Sequence, residues 1–333
     1  MKLTAPKLKG GRLFLPAFFL IVLVLGFLAS LNELRFDSTF IAHFSQCALS
    51  TDSKLLNNND TSSPSLSGLV QEDSVVEEEV RILIGILTLP ENSNRRHFLR
   101  LIYGTQILST KAKIDIKFVF CNLTKEDQKI LVALEIMRYD DILILNCKEN
   151  MNNGKTYTYF SSLPSIFDDS SSTSPQTTPP YHYVMKADDD TYFRLDSLLA
   201  TLRPLPRQDL YYGYVVPCPS MDPFKHYMSG MGYLVSWDLV KWISESDIPR
   251  THMDGPEDKT FGEWMRVGRK AKNRFNAKWS MYDYPEPKTG CTHELWNDTV
   301  AVHRLKTQEK WIKTLKFFNV TSELRPSKLY HIP

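Results

Sequence analysis

The chain has 333 residues, of which 42% are hydrophobic, so it can form a domain with a sizeable core and still contain further segments. Its formal net charge is only +2. A nucleic-acid-binding domain shows a clear basic excess, and neither the composition nor any run of residues provides one here. The composition therefore argues against nucleic acid as a partner.

The first element in chain order is an apolar run at residues 13–31 that contains no charged side chain. As a helix it would span about 28 Å, close to the roughly 30 Å hydrocarbon core of a bilayer. Basic residues precede the run and acidic residues follow it, which predicts a cytoplasmic tail at 1–12 and a lumenal remainder. A cleaved signal peptide is the alternative, but its apolar core is usually only about 7–15 residues long. We therefore expect a retained signal-anchor, a single transmembrane helix.

Two further patterns agree with a lumenal location. Asn-x-Ser/Thr acceptor sites follow the apolar run at Asn59, Asn122, Asn297 and Asn319. The five cysteines match no zinc-binding spacing, and an oxidising lumen would allow disulfides among Cys47, Cys121, Cys147, Cys218 and Cys291. Their odd number leaves at least one thiol free or paired with another chain. The pairing cannot be deduced, and association with a second copy or another protein stays open.

The amino-acid composition divides the rest of the chain into a predicted stem and a predicted folded domain. Residues 32–77 have few periodic apolar positions and are rich in Asn, Ser and Thr, which predicts a flexible lumenal stem. Residues 78–333 form the predicted folded domain. Within it, the low-complexity segment 168–180 predicts a disordered loop insertion, because the apolar pattern resumes on both sides.

The first half of the predicted domain alternates strand-like and helix-like patterns. Residues 80–89 form a nearly continuous apolar run, as expected for a strand buried on both faces. Thr124 is the expected N-cap of the second helix. The remaining predicted elements are strands at 114–121, 142–146 and 181–186 and helices at 96–109, 125–139 and 155–166. This alternation predicts an α/β sandwich with a mostly parallel sheet.

Three consecutive aspartates, Asp188, Asp189 and Asp190, follow the strand predicted at 181–186. Ligands of open α/β sheets bind at the carboxyl ends of strands. Clustered carboxylates repel one another unless a cation compensates them, and their oxygen atoms suit Mg²⁺ or Mn²⁺ bridged to phosphates. A solvated acidic turn is the alternative. The position after a buried strand favours a metal site.

Three later patterns are weaker. Gly230 and Gly232 fit either a tight turn before a helix capped by Ser236 or a backbone left bare for a sugar. The acidic residues within 254–258 fit either a helix start or a carboxylate that accepts a proton from an acceptor hydroxyl. His303 ends a short apolar run, and such a histidine is usually structural or exposed, but beside carboxylates it can bind a metal.

Several ordered blocks together resemble glycosyltransferase family 31, the β-1,3-galactosyltransferase-like enzymes, over about residues 80–315. The blocks lie at 95–104, 149–156, 186–190, 229–233 and 257–262. The residues of these blocks, and the Pro-Cys-Pro loop after Tyr214, are most similar to those of plant members. Ile102 and Tyr103 depart from the pattern, since many members have Thr and Trp there.

The resemblance implies a GT-A fold, which is an αβα sandwich with a mostly parallel mixed sheet, and a type II position in the Golgi membrane. It also implies Mn²⁺ (or Mg²⁺), inversion at the anomeric carbon and a UDP-sugar donor. UDP-galactose, with β-1,3 transfer to a glycan or glycoprotein, is the expected reaction. The alternatives are a UDP-N-acetylglucosamine-dependent β-1,3 transferase and a catalytically weak, lectin-like member.

The site residues implied by the resemblance are carried over motif by motif. Asp258 matches the catalytic base. Asp190 and His303 match the metal ligands. The residues expected to hold the donor are Asp188, Asp189, Lys155 and Arg100. A glycoside hydrolase that uses two carboxylates is the rival enzyme class, and because it needs neither metal nor nucleotide, a chelator separates the two.

Overall fold

The computed structural model describes three stretches of the chain, which are residues 79–109, 111–168 and 178–330. They lie within one compact unit, Ser74–Pro333. The predicted tail, anchor, stem and most of the loop insertion fall outside these stretches, at 1–12, 13–31, 32–77 and 168–180. Among the helices that can be described, none combines the length and the apolar character needed to cross a membrane.

A seven-stranded sheet forms the centre of the unit. Its strands are β1 (Val80–Leu87), β2 (Ala112–Cys121), β3 (Ile142–Leu145), β4 (Tyr183–Asp188), β6 (Leu210–Val216), β7 (Tyr227–Ser236) and β8 (Asn273–Asn276). Their spatial order is β3-β2-β1-β4-β7-β6-β8. Strand β7 is antiparallel to both of its neighbours, and the other six strands run in one direction. The mostly parallel mixed sheet predicted from the sequence is therefore confirmed.

Helices cover both faces of this sheet. Ile82, Ile84 and Ile86 of β1 belong to the core on one face, and Leu83 and Leu87 belong to the core on the other. Successive residues of a strand point to opposite faces, so a strand covered on both sides is apolar throughout. The helices are α1 (Ser93–Gly104), α2 (Glu126–Tyr139), α3 (Lys155–Phe167), α4 (Leu195–Leu202), α5 (Trp237–Glu245), α6 (Asp247–Thr251), α7 (Glu257–Val267) and α8 (Gln308–Phe317). The layers form an αβα sandwich.

Two predicted helix boundaries were wrong. Helix α1 begins at Ser93 and ends at Gly104, before the predicted end at residue 109. Beyond it, the Gln106 side chain donates to the Phe193 carbonyl and accepts from a backbone N–H of α4, which holds this stretch outside a helix. Thr124 is not the N-cap of α2. That position is Lys125, and no side chain caps it.

The two glycines of the Gly-x-Gly pattern lie inside strand β7, so the tight-turn alternative was wrong. Each glycine permits a close approach. A Cβ on Gly232 would lie 2.4 Å from the Phe193 ring, and a Cβ on Gly230 would lie 2.5 Å from Glu257 Oε1. Ser236 occupies the predicted N-cap position of α5, but its hydroxyl accepts a hydrogen bond from the start of β6 instead of capping the helix.

A second, three-stranded sheet joins the C-terminal part of the chain to the aspartate cluster. It consists of β5 (Tyr192–Phe193), β9 (Met281–Asp283) and β10 (Ala301–His303) in the order β5-β10-β9. Strand β10 is antiparallel to β5, which directly follows the aspartates, and parallel to β9, where His303 is opposite Asp283. The backbone N–H of Leu305 donates to the Asp190 carbonyl at 2.9 Å. This pairing brings residues near position 300 to the end of β4.

Two disulfides connect the loops that follow the sheet strands. Cys121 at the end of β2 is bonded to Cys147, just after β3. Cys218, in the loop after β6, is bonded to Cys291, in the segment between β9 and β10. The remaining cysteine, Cys47, lies outside the described residues. The oxidising compartment expected from the sequence is consistent with these bonds.

Candidate active site

The three consecutive aspartates diverge at the end of β4. Asp188 Oδ1 accepts a hydrogen bond from Lys186 Nζ at 2.7 Å. Asp189 Oδ2 accepts from Thr88 Oγ1 at 2.6 Å and from Asn92 Nδ2 at 3.2 Å, at the end of β1 and the start of α1. The cluster is thus not a uniform acidic turn, since each carboxylate has its own surroundings.

Asp188, Asp190 and His303 form a group that could hold a metal ion. One ligand atom from each lies within 4.8 Å of the others. His303 Nε2 is 3.3 Å from Asp190 Oδ1 and 3.7 Å from Asp188 Oδ2. Two carboxylate oxygens and an imidazole nitrogen fit Mn²⁺ or Mg²⁺. The structure therefore brings together the two expected metal ligands and adds Asp188, whereas Asp189 is bound elsewhere.

Asp283 orients His303 from the opposite side. Its Oδ1 lies 2.7 Å from His303 Nδ1, and its Oδ2 is 3.0 Å from Arg304 Nε. Burial alone would lower the pKa of His303, but hydrogen bonds to Asp190 and Asp283, with the nearby carboxylate charges, raise it to about 9. A partner on Nδ1 fixes the ring so that Nε2 faces Asp190, as is common for metal-binding histidines. Sequence reasoning missed Asp283, because it belongs to no motif.

Lys186 connects the aspartate cluster to helix α7. Its buried Nζ donates at 2.7 Å to Asp188 Oδ1, to the Gly230 carbonyl and to Glu257 Oε1. Burial alone would lower the pKa of Lys186, but the charges of Asp188 and Glu257 outweigh it and raise the pKa. Glu257 Oε2 also accepts from the Tyr233 hydroxyl at 2.9 Å. Burial raises the pKa of Glu257, despite the neighbouring ammonium. Both oxygens of Glu257 therefore have protein partners.

Asp258, the next residue in α7, is differently placed. It is half-buried, and its Oδ2 accepts one long hydrogen bond, of 3.3 Å, from the Gly230 N–H. Its Oδ1 accepts from the N–H of the following residue. Unlike Glu257, it has no cationic partner among the side chains that the structure describes, which leaves its carboxylate able to accept a proton from a bound molecule.

A cleft of about 420 Å³ contains these groups. Asp188 and His303 line one part of it, and Asp258 and Glu257 line another. Pockets of this size, with a few convergent polar groups, are the usual binding sites of small molecules. Further lining residues include Asn152, Tyr214, Tyr227, Ser229, Cys291 and Arg304. The candidate metal group and the candidate base therefore share one cleft.

Lys155 is not among the residues that line the cleft. It is buried, its Nζ donates to the Thr88 carbonyl at 2.7 Å, and it pairs with Glu149. Burial lowers the pKa of Lys155, against the effect of Glu149. Because the Thr88 hydroxyl holds Asp189, Lys155 supports the wall of the site through Thr88. Direct contact between Lys155 and the donor stays a prediction.

Arg100 has structural partners on α2 and directly before β3. Its guanidinium pairs with Asp141 at 2.7 Å and with Glu135 at 2.8 Å, and it lies 4.1 Å from the centre of the Tyr139 ring. Glu135 is also paired with the buried Arg96 at 2.6 Å. None of these partners lines the cleft. Donor binding by Arg100 stays a prediction, and the contacts indicate a role in joining α1 to α2.

Comparison with known proteins points in the same direction as this geometry. A protein-family model described as "Galactosyltransferase" matches residues 94–221, from α1 to the loop after β6. The chain is 25% identical over 289 residues to the β-1,3-galactosyltransferase pvg3 of Schizosaccharomyces pombe, covering 71% of this chain and 75% of that protein. It is 26% identical over 204 residues to a lactosylceramide 1,3-N-acetyl-β-D-glucosaminyltransferase of Xenopus tropicalis, covering 52% of this chain and 51% of that protein.

Among solved structures, the galactosyltransferase LgtC in complex with donor and acceptor sugar analogues resembles the chain. It shares 12% identity, covers 74% of this chain and 97% of that chain, and has a TM-score of 0.38. The α/β class follows from the strand order and from the helices on both faces of the sheet. The family match and the fungal relative, together with the aspartate–histidine group, show a glycosyltransferase that is similar to β-1,3-galactosyltransferases.

Proposed function

We propose that this glycosyltransferase transfers galactose from UDP-galactose to a hydroxyl of a glycan or glycoprotein, in β-1,3 linkage, with inversion and with a divalent metal. The observation that carries the proposal is the cleft in which Asp188 and His303 lie with Asp258. A transferase needs a site for the diphosphate and a base for the acceptor within one space. The β-1,3-galactosyltransferase relative supports galactose as the donor sugar.

The reaction is a single displacement. The Asp258 carboxylate accepts the proton of the acceptor hydroxyl while that oxygen forms a bond to the anomeric carbon. The bond between the anomeric carbon and the UDP oxygen breaks on the opposite face, so the configuration inverts. The cleft contributes by holding the two reactants in line and by limiting the access of water.

Asp188, Asp190 and His303 would hold the metal. Their oxygen and nitrogen atoms fit Mn²⁺, and Lys186 offsets part of the negative charge of Asp188. When bound, the metal supplies Lewis-acid stabilisation of the charge on the departing diphosphate. Asp283 keeps the His303 ring in position through Nδ1. Asp189, which accepts from Thr88 and Asn92, is a further residue that we expect to contact the donor.

One alternative has specific support. The relative that transfers N-acetylglucosamine favours UDP-N-acetylglucosamine as a second candidate donor. The lectin-like alternative requires loss of the base or the metal group, and Asp190, Asp258 and His303 are all present. We also propose that the protein is most similar to plant members, because the residues of its sequence blocks resemble theirs.

A donor screen on the purified full chain tests the proposal. We expect UDP release with Mn²⁺ to be fastest with UDP-galactose, compared with UDP-N-acetylglucosamine and UDP-glucose, when an oligosaccharide acceptor is present. EDTA should abolish the reaction, and added Mn²⁺ should restore it. Asp190→Ala should lose Mn²⁺-dependent UDP binding in calorimetry while it retains its unfolding temperature.

Three results would contradict the proposal. Turnover that resists EDTA would exclude the metal. Glycan hydrolysis without any nucleotide would indicate a hydrolase. Glycan binding with no UDP release from any donor would indicate a lectin-like protein.

The cellular location is part of the same proposal. The apolar run at 13–31 and the acceptor sites beyond it support a single-pass type II protein whose catalytic domain lies in the Golgi lumen. Exposed Asn122, Asn297 and Asn319 are open to modification, whereas Asn59 lies outside the described residues.

A further inference from the structure

A second cavity adjoins the catalytic cleft. It has a volume of about 310 Å³ and shares two wall residues, Tyr214 and Cys291, with the cleft. Its other walls include Trp279, Tyr282 and His293. We call it the aromatic pocket. The two spaces are therefore adjacent.

The pocket contains a cluster of rings that is partly open to solvent. The His293 ring lies 6.2 Å from Trp279, 5.1 Å from Tyr282 and 5.2 Å from Trp296, between ring centres. Tyr282 is buried, but Trp279 is 59% exposed and Trp296 is 37% exposed. A single exposed apolar side chain is ordinary, whereas two partly exposed tryptophans that contact the same histidine ring indicate a binding surface.

Trp279 occupies a backbone position that normally favours glycine, the third residue of a turn closed by the Ser280 N–H and the Ala277 carbonyl. Trp279 follows β8 in the turn before β9, and its φ is +76°, in the left-handed region. Glycine and asparagine adopt this conformation at low cost, and a tryptophan does not. Its ring is largely exposed, so packing offsets little of the strain.

A disulfide and hydrogen bonds hold the walls of the aromatic pocket together. The Cys218–Cys291 disulfide joins two of its walls. Lys278 Nζ donates to the Cys218 carbonyl at 2.5 Å and to the Ser220 carbonyl, and it lies 5.1 Å from the centre of the Tyr214 ring. A binding surface held by such contacts loses little conformational entropy when a ligand binds.

We propose that the aromatic pocket binds the sugar that precedes the modified residue of the acceptor glycan. The inference rests on the proposed function. One face of a β-linked hexopyranose consists of C–H groups and can stack on Trp279, while the ring hydroxyls can bond to polar groups such as His293 and Thr292 at the pocket wall. The pocket would then select oligosaccharides over monosaccharides, and the linkage would run across the wall shared with the cleft.

Trp279→Gly tests the assignment. The variant removes the ring and also relieves the positive φ, so the unfolding temperature should stay the same or rise. The acceptor probes are methyl β-D-galactopyranoside and the methyl glycoside of β-1,3-galactotriose. For the trisaccharide, KM should rise about 3- to 10-fold, the worth of one ring contact. For the monosaccharide, KM should not change. Phe317→Ala, which removes a ring that is 45% exposed on α8, is the matched control and should change neither KM.

A binding measurement distinguishes failure of this inference from failure of the proposed function. Saturation-transfer NMR with the trisaccharide and the full chain requires no turnover, and the signal should weaken in Trp279→Gly. If the wild-type chain releases UDP and the Trp279→Gly variant has the same KM for the trisaccharide as the wild type, the pocket assignment is wrong. No UDP release from any donor overturns the proposed function, and the NMR result then still decides the pocket. The assignment is also wrong if the wild-type chain does not bind the trisaccharide. It is equally wrong if Trp279→Gly weakens the binding of a sugar-free acceptor peptide as much as it weakens the binding of the trisaccharide.

Discussion

Asp258→Asn and Glu257→Gln are conservative substitutions at neighbouring positions, and we expect them to affect different properties of the protein. Each replaces a carboxylate by an amide and leaves the side-chain length unchanged. Asp258 faces the cleft with one long hydrogen bond from Gly230, whereas Glu257 is bound by Lys186 and Tyr233. The first change should therefore act on the rate of transfer and the second mainly on stability.

The magnitudes follow from these surroundings. A positioned general base contributes about 10²–10⁴ in rate, so Asp258→Asn should raise the barrier by about 2.7–5.4 kcal/mol. Its free energy of unfolding should change by less than about 1 kcal/mol, because few contacts are lost. Glu257→Gln removes one of two carboxylates from buried Lys186. Breaking a buried pair costs about 3–5 kcal/mol, and because Asp188 remains, we expect about 3 kcal/mol.

Single-turnover transfer and thermal unfolding measure the two effects on the same preparations. Asp258→Asn should transfer slowly with an unchanged unfolding temperature and unchanged Mn²⁺–UDP affinity. Glu257→Gln should unfold about 6–12 °C earlier and transfer at a rate much closer to that of the wild type. Asp254→Asn is a further control, since Asp254 is exposed and precedes the helix.

The opposite pattern would refute the reasoning. If Asp258→Asn transfers normally and Glu257→Gln is inactive but stably folded, Glu257 is the base. Its raised pKa would then reflect catalysis instead of structural burial. If neither variant changes transfer, the displacement mechanism built on the start of α7 has to be abandoned.

Three other predictions concern different parts of the chain. Asp283→Asn should weaken Mn²⁺ binding about 10- to 100-fold in calorimetry, because it loosens the orientation of His303, and an unchanged affinity would contradict that role. Arg100→Gln should lower the free energy of unfolding by about 2–3 kcal/mol in urea and leave UDP affinity unchanged, whereas a specific loss of UDP affinity would restore the donor-binding assignment. Treatment of cell-expressed protein with an N-glycosidase should lower its mass, since Asn122 and Asn297 are exposed acceptor sites. An unchanged mass would argue against the lumenal location.

The central part of the fold could be predicted because parallel strands covered on both faces leave a plain signal. Strand β1 is an apolar run almost without interruption, and its burial on both sides explains why. The aspartate cluster could be predicted for a related reason, since it directly follows another such strand. Strands β8 and β9 have no such signal. Asn273–Asn276 is polar and half-buried, and Met281–Asp283 has only three residues.

The contacts within the site could not be predicted, because they depend on register. Asp283 reaches His303 only because β9 and β10 pair in parallel with these two residues opposite one another. Nothing near Asp283 in the sequence marks it. Lys186 was visible as a motif residue, but its burial and its link to Glu257 arise from the pairing of β4 with β7. The motif that includes Arg100 likewise did not reveal its partners on α2 and at the start of β3.

The small sheet β5-β10-β9 has a consequence for the order in which the protein becomes functional. Asp190 and His303 are 113 positions apart in the chain (303 − 190), and β10 must add to β5 before the metal group exists. Contacts between such distant positions form late, because a long loop has to close first. A nascent chain can thus assemble β1 to β4 while Asp188 and Asp190 lack His303, the third member of the candidate metal group. Metal occupancy would then mark a completely folded chain, and free Mn²⁺ would shift the equilibrium only for molecules whose C-terminal segment has docked.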